Sequence, residues 1–171
     1  MKVEFYCIFL PIETENTMST FIGDYECKVD EKGRVLFPSS LRKQVKSESP
    51  DRFVVKKDIY EECLVLYPME EWELQTAIIR RNTNPYNKEH NLFIREFFRG
   101  TAEVSLDTNG RLLLPKRLLE MVGIRRDIVM AGMNGKIEIW SKEKYESAQL
   151  GASDFANLAE RILGSTPLKD E

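Results

Sequence analysis

The first regular pattern in the chain is an alternation of apolar and polar residues over 25–29, which is typical of a half-buried strand. Residues 30–33 then combine an aspartate with a glycine, a composition typical of a turn. A short apolar run over 35–37 predicts a second strand. We predict a short helix over 38–45, because the proline that opens it has no amide hydrogen to leave unpaired.

The following segments predict a hairpin and three further helical stretches. Apolar runs over 53–57 and 63–67 indicate the hairpin, and prolines and spacing predict helices over 68–81 and 88–99. A C-terminal amphipathic helix is predicted from the spacing of four apolar residues: Phe155, Leu158, Ala159 and Ile162. Aromatic side chains on the helices are expected in the core or at subunit contacts: Trp72, Phe93, Phe97, Tyr145 and Phe155.

The early pattern occurs twice. Residues 23–41 read GDYECKVDEKGRVLFPSSL, and 77 residues later 100–118 read GTAEVSLDTNGRLLLPKRL. The similarity resumes where 64–73 matches 137–146 at an offset of 73, so the chain is a tandem duplication with a four-residue difference in loop length. Each copy is predicted to contain a strand, a turn, a strand, a short helix, a hairpin and a longer helix.

The second copy carries the same signals in the same order. Strands are predicted over 102–106 and 111–114, on either side of the turn at 107–110, and a helix follows over 115–122. A second hairpin is predicted with strands 128–131 and 136–140, joined through an asparagine–glycine turn, and a serine caps the next helix: Asn134, Gly135 and Ser141.

The duplication divides the chain into five expected parts. These are an N-terminal extension over 1–19, a first repeat over 20–81, a connecting loop and helix over 82–99, a second repeat over 100–148, and a C-terminal helix and tail over 149–171. A four-stranded unit with one short helix cannot cover its own faces and edges. We therefore expect the two repeats to close on each other.

Charge is unevenly distributed along the chain. The 171 residues have a formal net charge of -3 and a pI near 5.5, which alone argues against bulk electrostatic coating of nucleic acid. Residues 28–46 nevertheless carry six basic side chains against two acidic ones, and 105–126 carry five against two. The two basic segments occupy equivalent places in the two copies, which favours a shared role over chance.

Several functional classes are disfavoured by what the sequence lacks. The three cysteines have no Cys-x-x-Cys spacing and there is one histidine, so most metal sites and histidine-dependent triads are excluded. No apolar run approaches the ~18 residues of a membrane span. We expect a cytoplasmic protein with no cofactor, no metal, no small-molecule ligand and no membrane association. Met18 is a natural start, so we expect residues 1–17 to carry no function.

The candidate chemistry lies in the repeated turn, which reads Asp-x-x-Gly-Arg in both copies. Asp30 and Asp107 are expected to be structural, because a turn of this kind uses a side-chain acceptor. Arg34 and Arg111 follow the turns at the start of a strand, where a guanidinium can meet a phosphate or a guanine edge. The alternative is an ion pair with the neighbouring aspartate, which would leave the arginines with a structural role.

Two enzymatic or metal-binding readings of these turns do not match the sequence. An aspartic-protease pair needs Asp-Thr/Ser-Gly, whereas these turns have an additional residue before the glycine and an arginine after it. A calcium loop starting at Asp107 would place Leu118 at its twelfth position, where no oxygen ligand is available. No set of catalytic acid, base or nucleophile emerges, so an enzyme is disfavoured.

With these motifs the chain resembles the MraZ family of bacterial transcriptional regulators over about residues 20–148. The resemblance rests on both Asp-x-x-Gly-Arg turns and on the segments that follow them: Pro38, Pro115, Leu66-Tyr-Pro-x-x-x-Trp72 and Ile137-Glu-Ile-Trp-Ser141. It implies an α+β fold of two AbrB-like repeats whose hairpins are swapped into a β-barrel with pseudo-two-fold symmetry and peripheral helices. It also implies a ring-shaped homo-oligomer.

The resemblance further implies a sequence-specific regulator that acts at the nucleoid on double-stranded DNA. Its target would be short tandem repeats upstream of a division and cell-wall gene cluster that includes its own gene, which it is expected to repress. The implied DNA-facing residues are those of the two turns: Asp30, Lys32, Arg34, Asp107, Asn109 and Arg111.

Each of these residues has an implied role. The arginines would contact DNA, the aspartates would orient them, and Lys32 would support the first turn. Asn109 stands where the first copy has this lysine, so the second turn is expected to hold phosphate less strongly. The competing hypothesis is an oligomeric scaffold whose arginines make only ion pairs between subunits, and it predicts that Arg34→Ala breaks assembly.

Overall fold

The computed structural model describes residues 19–164, and the expectations for residues 1–17 and for the tail after Gly164 lie outside them. The predicted order of elements is confirmed, but the longer helix expected at the end of the second copy is only six residues long, the same length as the short helix before it. In chain order the elements are β1 Asp24–Lys28, β2 Arg34–Leu36, α1 Ser39–Arg42, β3 Arg52–Lys57, β4 Leu64–Pro68, α2 Met69–Asn82, α3 Lys88–Phe98, β5 Ala102–Ser105, β6 Arg111–Leu113, α4 Lys116–Met121, β7 Asp127–Gly132, β8 Ile137–Ser141, α5 Lys142–Ser147 and α6 Ala152–Leu163.

The first helix is shorter than the sequence predicts. It ends at Arg42, and the chain continues in a tighter turn in which the amides of Gln44 and Val45 donate to carbonyls three residues back. The side-chain amide of Gln44 also donates to the Ser40 carbonyl at 3.0 Å, and its oxygen accepts from the backbone of Ile22 at 2.6 Å. The bond from Ile22 ties the end of this turn to a distant segment of the chain.

The two repeats interleave in one antiparallel sheet of six strands, in the order β1-β7-β8-β4-β3-β5. The first strand of each repeat pairs with the hairpin of the other: Glu26 lies opposite Val129, and Glu103 lies opposite Val54. At the centre, β4 pairs with β8, and this pairing is symmetric: exchanging the two repeats leaves the register of the two strands unchanged. This exchange confirms the expected swapping of hairpins, because neither repeat completes a sheet alone.

The second strands of the two repeats form a separate two-stranded ribbon, β2-β6. Val35 lies opposite Leu112 at its centre, and the flanking pairs are equivalent on either side. Single bridges from Val29 to Val35 and from Leu106 to Leu112 connect the ribbon to β1 and β5. The strand pairings therefore run in a closed circle, and the pseudo-two-fold relation passes through the middle of the ribbon.

The core lies inside this circle and draws on both repeats. Its largest fully buried side chains are Phe53, Leu41, Leu64, Leu66, Leu112, Leu114, Leu118, Ile128, Met130, Ile137, Ile139 and Val35. Truncating a side chain of this kind to alanine typically costs about 2–5 kcal/mol. Because Val35 and Leu112 belong to the core, the ribbon is fixed to the body of the protein through its inner face.

The aromatic residues on the helices have two different environments. Phe97 is buried and Trp72 is half-buried, and their rings stack at a centroid distance of 5.8 Å, which joins α2 to α3. Tyr145 is half-buried and donates to Asp24 at 3.2 Å. Phe93 and Phe155 are exposed, so the core part of that expectation is wrong for these two. No helix in residues 19–164 is long and apolar enough to cross a membrane.

Candidate nucleic-acid interface

The first Asp-x-x-Gly-Arg turn is closed by one aspartate. Asp30 Oδ1 accepts from the backbone amides of Lys32 and Arg34, each at 2.9 Å, and Oδ2 accepts from Arg34 Nε at 2.7 Å. The backbone adds bonds from the amide of Asp30 to the Arg34 carbonyl and from the amide of Gly33 to the Asp30 carbonyl, both at 2.9 Å. Gly33 has φ +86°, a left-handed conformation that favours glycine.

The second turn repeats this scheme. Asp107 Oδ1 accepts from the amides of Asn109 and Arg111 at 2.8 and 2.9 Å, and Oδ2 accepts from Arg111 Nε at 3.3 Å. Gly110 has φ +72°, and its amide donates to the Asp107 carbonyl at 2.9 Å. The structural role expected for the two aspartates is confirmed, since each one holds its own turn closed.

These bonds shift the pKa of both carboxyls. The pKa of Asp30 lies below its ordinary value chiefly because the backbone amide of Arg34 donates to the carboxylate, and the Arg34 side chain adds to the effect. The pKa of Asp107 is lowered first by the amide of Arg111 and then by that of Asn109. Both aspartates are therefore charged near neutral pH and able to orient the guanidinium beside them.

Each aspartate engages only one edge of its arginine. Within the described residues, the guanidiniums of Arg34 and Arg111 donate hydrogen bonds only through Nε, and the donors at Nη1 and Nη2 have no acceptor. The two side chains are 36% and 35% exposed. The ion pair expected as an alternative is thus present inside each turn, and it still leaves the outer end of the guanidinium open to a ligand.

The turns are tied to each other across the duplication. The Gly33 carbonyl accepts from the amide of Leu114, and the Gly110 carbonyl accepts from the amide of Phe37, each at 2.9 Å. Since these amides lie just beyond β6 and β2, each turn is anchored to the strand of the other repeat. One turn therefore stands at each end of the β2-β6 ribbon, and the ribbon holds both in a fixed relation.

The outer face of the ribbon carries two leucines that the sequence reasoning did not identify. Leu36 lies opposite Arg111 and Leu113 lies opposite Arg34 in the strand register. The leucines are 63% and 57% exposed, whereas the central pair is buried on the other face. The repeated position of an apolar residue two after each arginine was the available signal, but such a residue is normally read as part of the core.

The basic surroundings of the two turns also differ. Beside the first turn, Lys32 and the residues that open α4, Lys116 and Arg117, are exposed. Beside the second turn, the cation is Arg42 of α1, which the sequence reasoning also missed. Its Nη2 pairs with Asp51 at 2.8 Å, and its Nη1 lies 3.8 Å from the position that a Cβ on Gly110 would take.

Within residues 19–164 there is no group of three or more histidine, cysteine, aspartate or glutamate side chains that could hold a metal ion. What the site offers is a rigid two-stranded ribbon with oriented, partly exposed guanidiniums at both ends. Such donors suit acceptors such as phosphate oxygens and the guanine edge.

Several known proteins are similar to this chain over most of its length. A protein called Transcriptional regulator MraZ from Christiangramia forsetii is 47% identical over 150 residues, covering 86% of this chain and 96% of the relative. Proteins of the same name are 42% identical over 149 residues in Flavobacterium psychrophilum and 37% over 142 in Clostridium tetani, covering 86% and 83% of this chain and 94% and 96% of the relatives. These relatives are named as regulators, not as enzymes.

The family comparison spans both repeats. The family model described as "MraZ protein, putative antitoxin-like" matches residues 20–93 and again 97–165. Each matched segment contains one of the two repeats whose hairpins are exchanged in the fold. The chain belongs to the MraZ family.

Proposed function

We propose that this protein is a DNA-binding transcriptional regulator that contacts double-stranded DNA through the β2-β6 ribbon and its two turns. The observation that carries the proposal is the pair of oriented arginines, one at each end of the ribbon, with their outer nitrogens free of acceptors among the described residues. The major groove of B-DNA is about 12 Å wide and admits a two-stranded ribbon. The names of the relatives support the same class of function.

The residues of the turns then have distinct roles. Arg34 and Arg111 contact a guanine edge or a phosphate, and Asp30 and Asp107 hold them in place. Lys32 adds a phosphate contact at the first turn. Asn109 supplies a neutral hydrogen-bonding side chain at the second turn, where the phosphate contact is weaker.

We propose further that the active form is a ring-shaped homo-oligomer. Helices α2, α3 and α6 expose large apolar side chains that a second copy would cover: Leu74, Ile78, Leu92, Phe93, Phe155 and Ile162.

Each copy offers few cations and a net charge of -3, so one copy binds DNA weakly. Several copies on tandem DNA repeats gain about 100-fold or more in avidity when the spacing allows simultaneous contact.

The proposed target is a set of tandem repeats in the promoter of the protein's own division and cell-wall gene cluster, which the protein represses. It would act in the cytoplasm, in association with the nucleoid. The overall acidity discourages indiscriminate coating of DNA.

The test is binding of the purified protein to a labelled duplex from directly upstream of its own gene, against a scrambled duplex, over a salt series. Arg34→Ala and Arg111→Ala are expected to weaken specific binding by about 10-fold or more each, the usual cost of losing a bidentate base contact. Arg99→Ala is the matched control, because Arg99 pairs with Glu96 at the end of α3.

Oligomer size is measured for every variant by light scattering. Loss of specific binding in variants of unchanged size supports the proposal. Binding that is equal in wild type and variants, or a change of size in the arginine variants, would favour the scaffold hypothesis instead.

A further inference from the structure

The outer face of the β2-β6 ribbon is half apolar. Leu36 and Leu113 are 63% and 57% exposed at the centre of a surface otherwise defined by charged turns. The fold does not use these side chains for its core, which takes Val35 and Leu112 from the same two strands. An apolar side chain kept exposed at the same position in both copies calls for an external contact.

The strand register fixes what stands beside each leucine. Leu36 is the cross-strand partner of Arg111, and Leu113 is the partner of Arg34. Directly opposite residues of an antiparallel pair point to the same face, with Cβ atoms about 5 Å apart. The face therefore consists of two arginine–leucine pairs, related by the pseudo-two-fold relation of the ribbon.

The occupant of this face is identified by charge and by chemistry. Two guanidiniums and Lys32 flank the leucines, which fits a polyanion better than an apolar protein surface. In the major groove, the C5-methyl group of thymine is the apolar element that a base pair presents. Because successive base pairs are 3.4 Å apart, an arginine and a leucine about 5 Å apart reach neighbouring base pairs.

We propose that Leu36 and Leu113 are specificity-determining residues that contact thymine C5-methyl groups in the major groove beside the bases or phosphates held by Arg111 and Arg34. This inference rests on the proposed DNA-binding function. It adds that the protein distinguishes thymine from other pyrimidines by an apolar contact, in addition to the hydrogen bonds of the arginines.

The decisive experiment replaces thymine by deoxyuridine in the upstream duplex, one position at a time. This removes only the methyl group and leaves base pairing and phosphates unchanged. At each contacted position the dissociation constant of the wild-type protein is expected to rise about fourfold, the value for burying one methyl group. Substitution at positions outside the bound repeats is expected to have no effect.

The protein side of the test is a double variant, Leu36→Ala with Leu113→Ala. Its affinity for the thymine duplex is expected to fall about fivefold to 10-fold per leucine, and deoxyuridine substitution is expected to cause no further loss. The matched control is Ile59→Ala, because Ile59 is 53% exposed and lies away from the ribbon. The start of β3, where Arg52 pairs with Ser105, is next to the second turn, and Ile59 follows the opposite end of that strand. This control is expected to keep the full response to deoxyuridine.

The outcomes separate this inference from the proposed function. If wild type prefers the upstream duplex over scrambled DNA but ignores deoxyuridine at every position, the thymine contact is wrong and DNA binding stands. If wild type shows no preference between the duplexes, the proposed function itself fails. A change of oligomer size in the double leucine variant would overturn the inference in favour of a contact between copies.

Discussion

The two ends of the β2-β6 ribbon carry the same turn in different surroundings. Both aspartates accept from the same three donors, but the bond to the arginine Nε is 2.7 Å in the first turn and 3.3 Å in the second. A Cβ on Gly33 would lie 3.7 Å from Leu119, whereas one on Gly110 would lie 3.8 Å from Arg42, the residue equivalent to Leu119. The first turn is thus supported by an apolar side chain and the second by a cation.

This difference separates the interactions that are the same in both turns from those that differ between them. The hydrogen bonds within four residues are the same in both copies, because they fix the backbone that presents the arginine. The contacts from α1 and α4 are supplied by the opposite repeat and have diverged. The first end carries the exposed cations Lys32, Lys116 and Arg117, whereas Arg42 at the second end is paired with Asp51.

The largest difference between the two ends is expected at the glycines. Alanine at either glycine is strained by the positive φ, which costs about 1–2 kcal/mol. Gly33 has a further obstacle, because its Cβ would lie 2.7 Å from the Leu114 carbonyl oxygen, while the nearest atom to a Cβ on Gly110 is at 3.8 Å. We expect Gly33→Ala to lower the free energy of unfolding by about 2–4 kcal/mol and Gly110→Ala by about 1–2 kcal/mol.

The measurement is urea denaturation of both variants at equal protein concentration. Equal losses at the two sites would mean that the chain near Leu114 moves aside freely, and the stated difference between the two turns would be wrong.

A smaller effect is expected from the acidic residues as pH falls. The pKa values of Asp30 and Asp107 are lowered in the folded protein, so their charged forms stabilise the fold above the unfolded pKa of about 3.9. That contribution is lost as pH falls through the lowered pKa values. The effect is limited because both carboxylates are solvent-exposed.

Asp30→Asn and Asp107→Asn separate the two contributions. Each variant is expected to be less stable than wild type at pH 7 and to lose less stability as pH falls below about 4. The larger change is expected for Asp30→Asn, because the bond from Asp30 to its arginine is shorter. Circular dichroism of thermal unfolding over a pH series measures this. A pH dependence identical to that of wild type would exclude these carboxylates as the source.

The smallest expected effect concerns the third residue of each turn. Lys32→Asn gives the first turn the residue of the second, and Asn109→Lys does the reverse. If these side chains reach phosphates, the first change lowers the magnitude of the negative slope of log affinity against log salt by about one, and the second raises that magnitude by about one. Lys88→Asn is the control, since Lys88 is exposed at the start of α3.

Salt titrations of DNA binding provide the measurement. Slopes that respond to Lys88→Asn as strongly as to Lys32→Asn would show that only net charge matters, and that neither turn holds phosphate at a fixed position.

Much of the fold was predictable because its signals are local. The period-two pattern of β1, the prolines directly before α1 and α2 and the Asn134–Gly135 turn all act within a few residues. The closing of each turn by its aspartate was predictable for the same reason. Less predictable was the end of α1 at Arg42, because the Gln44 side chain that follows it is bonded to the distant Ile22.

The site was predictable only in part. The arginines and aspartates stand out because their spacing repeats, and the sequence alone indicated where they follow the turns. The exposure of Leu36 and Leu113 did not follow from the pattern, since an apolar residue in a short strand is usually buried. Arg42 was missed because it approaches a turn of the other repeat, 68 residues away in the chain.

The sequence by itself determined the duplication, the order of the elements, the internal hydrogen bonding of the turns and membership of the family. Each of these depends on residues close together in the chain, whose backbone geometry restricts the possible structures. Only the tertiary structure decided that β1 pairs with β7 and β5 with β3, and therefore which side chains share the outer face of the ribbon. Pairing between distant strands is selected by the total apolar surface that the closed circle of strands buries. That total depends on residues from both repeats, so no local sequence pattern contains it.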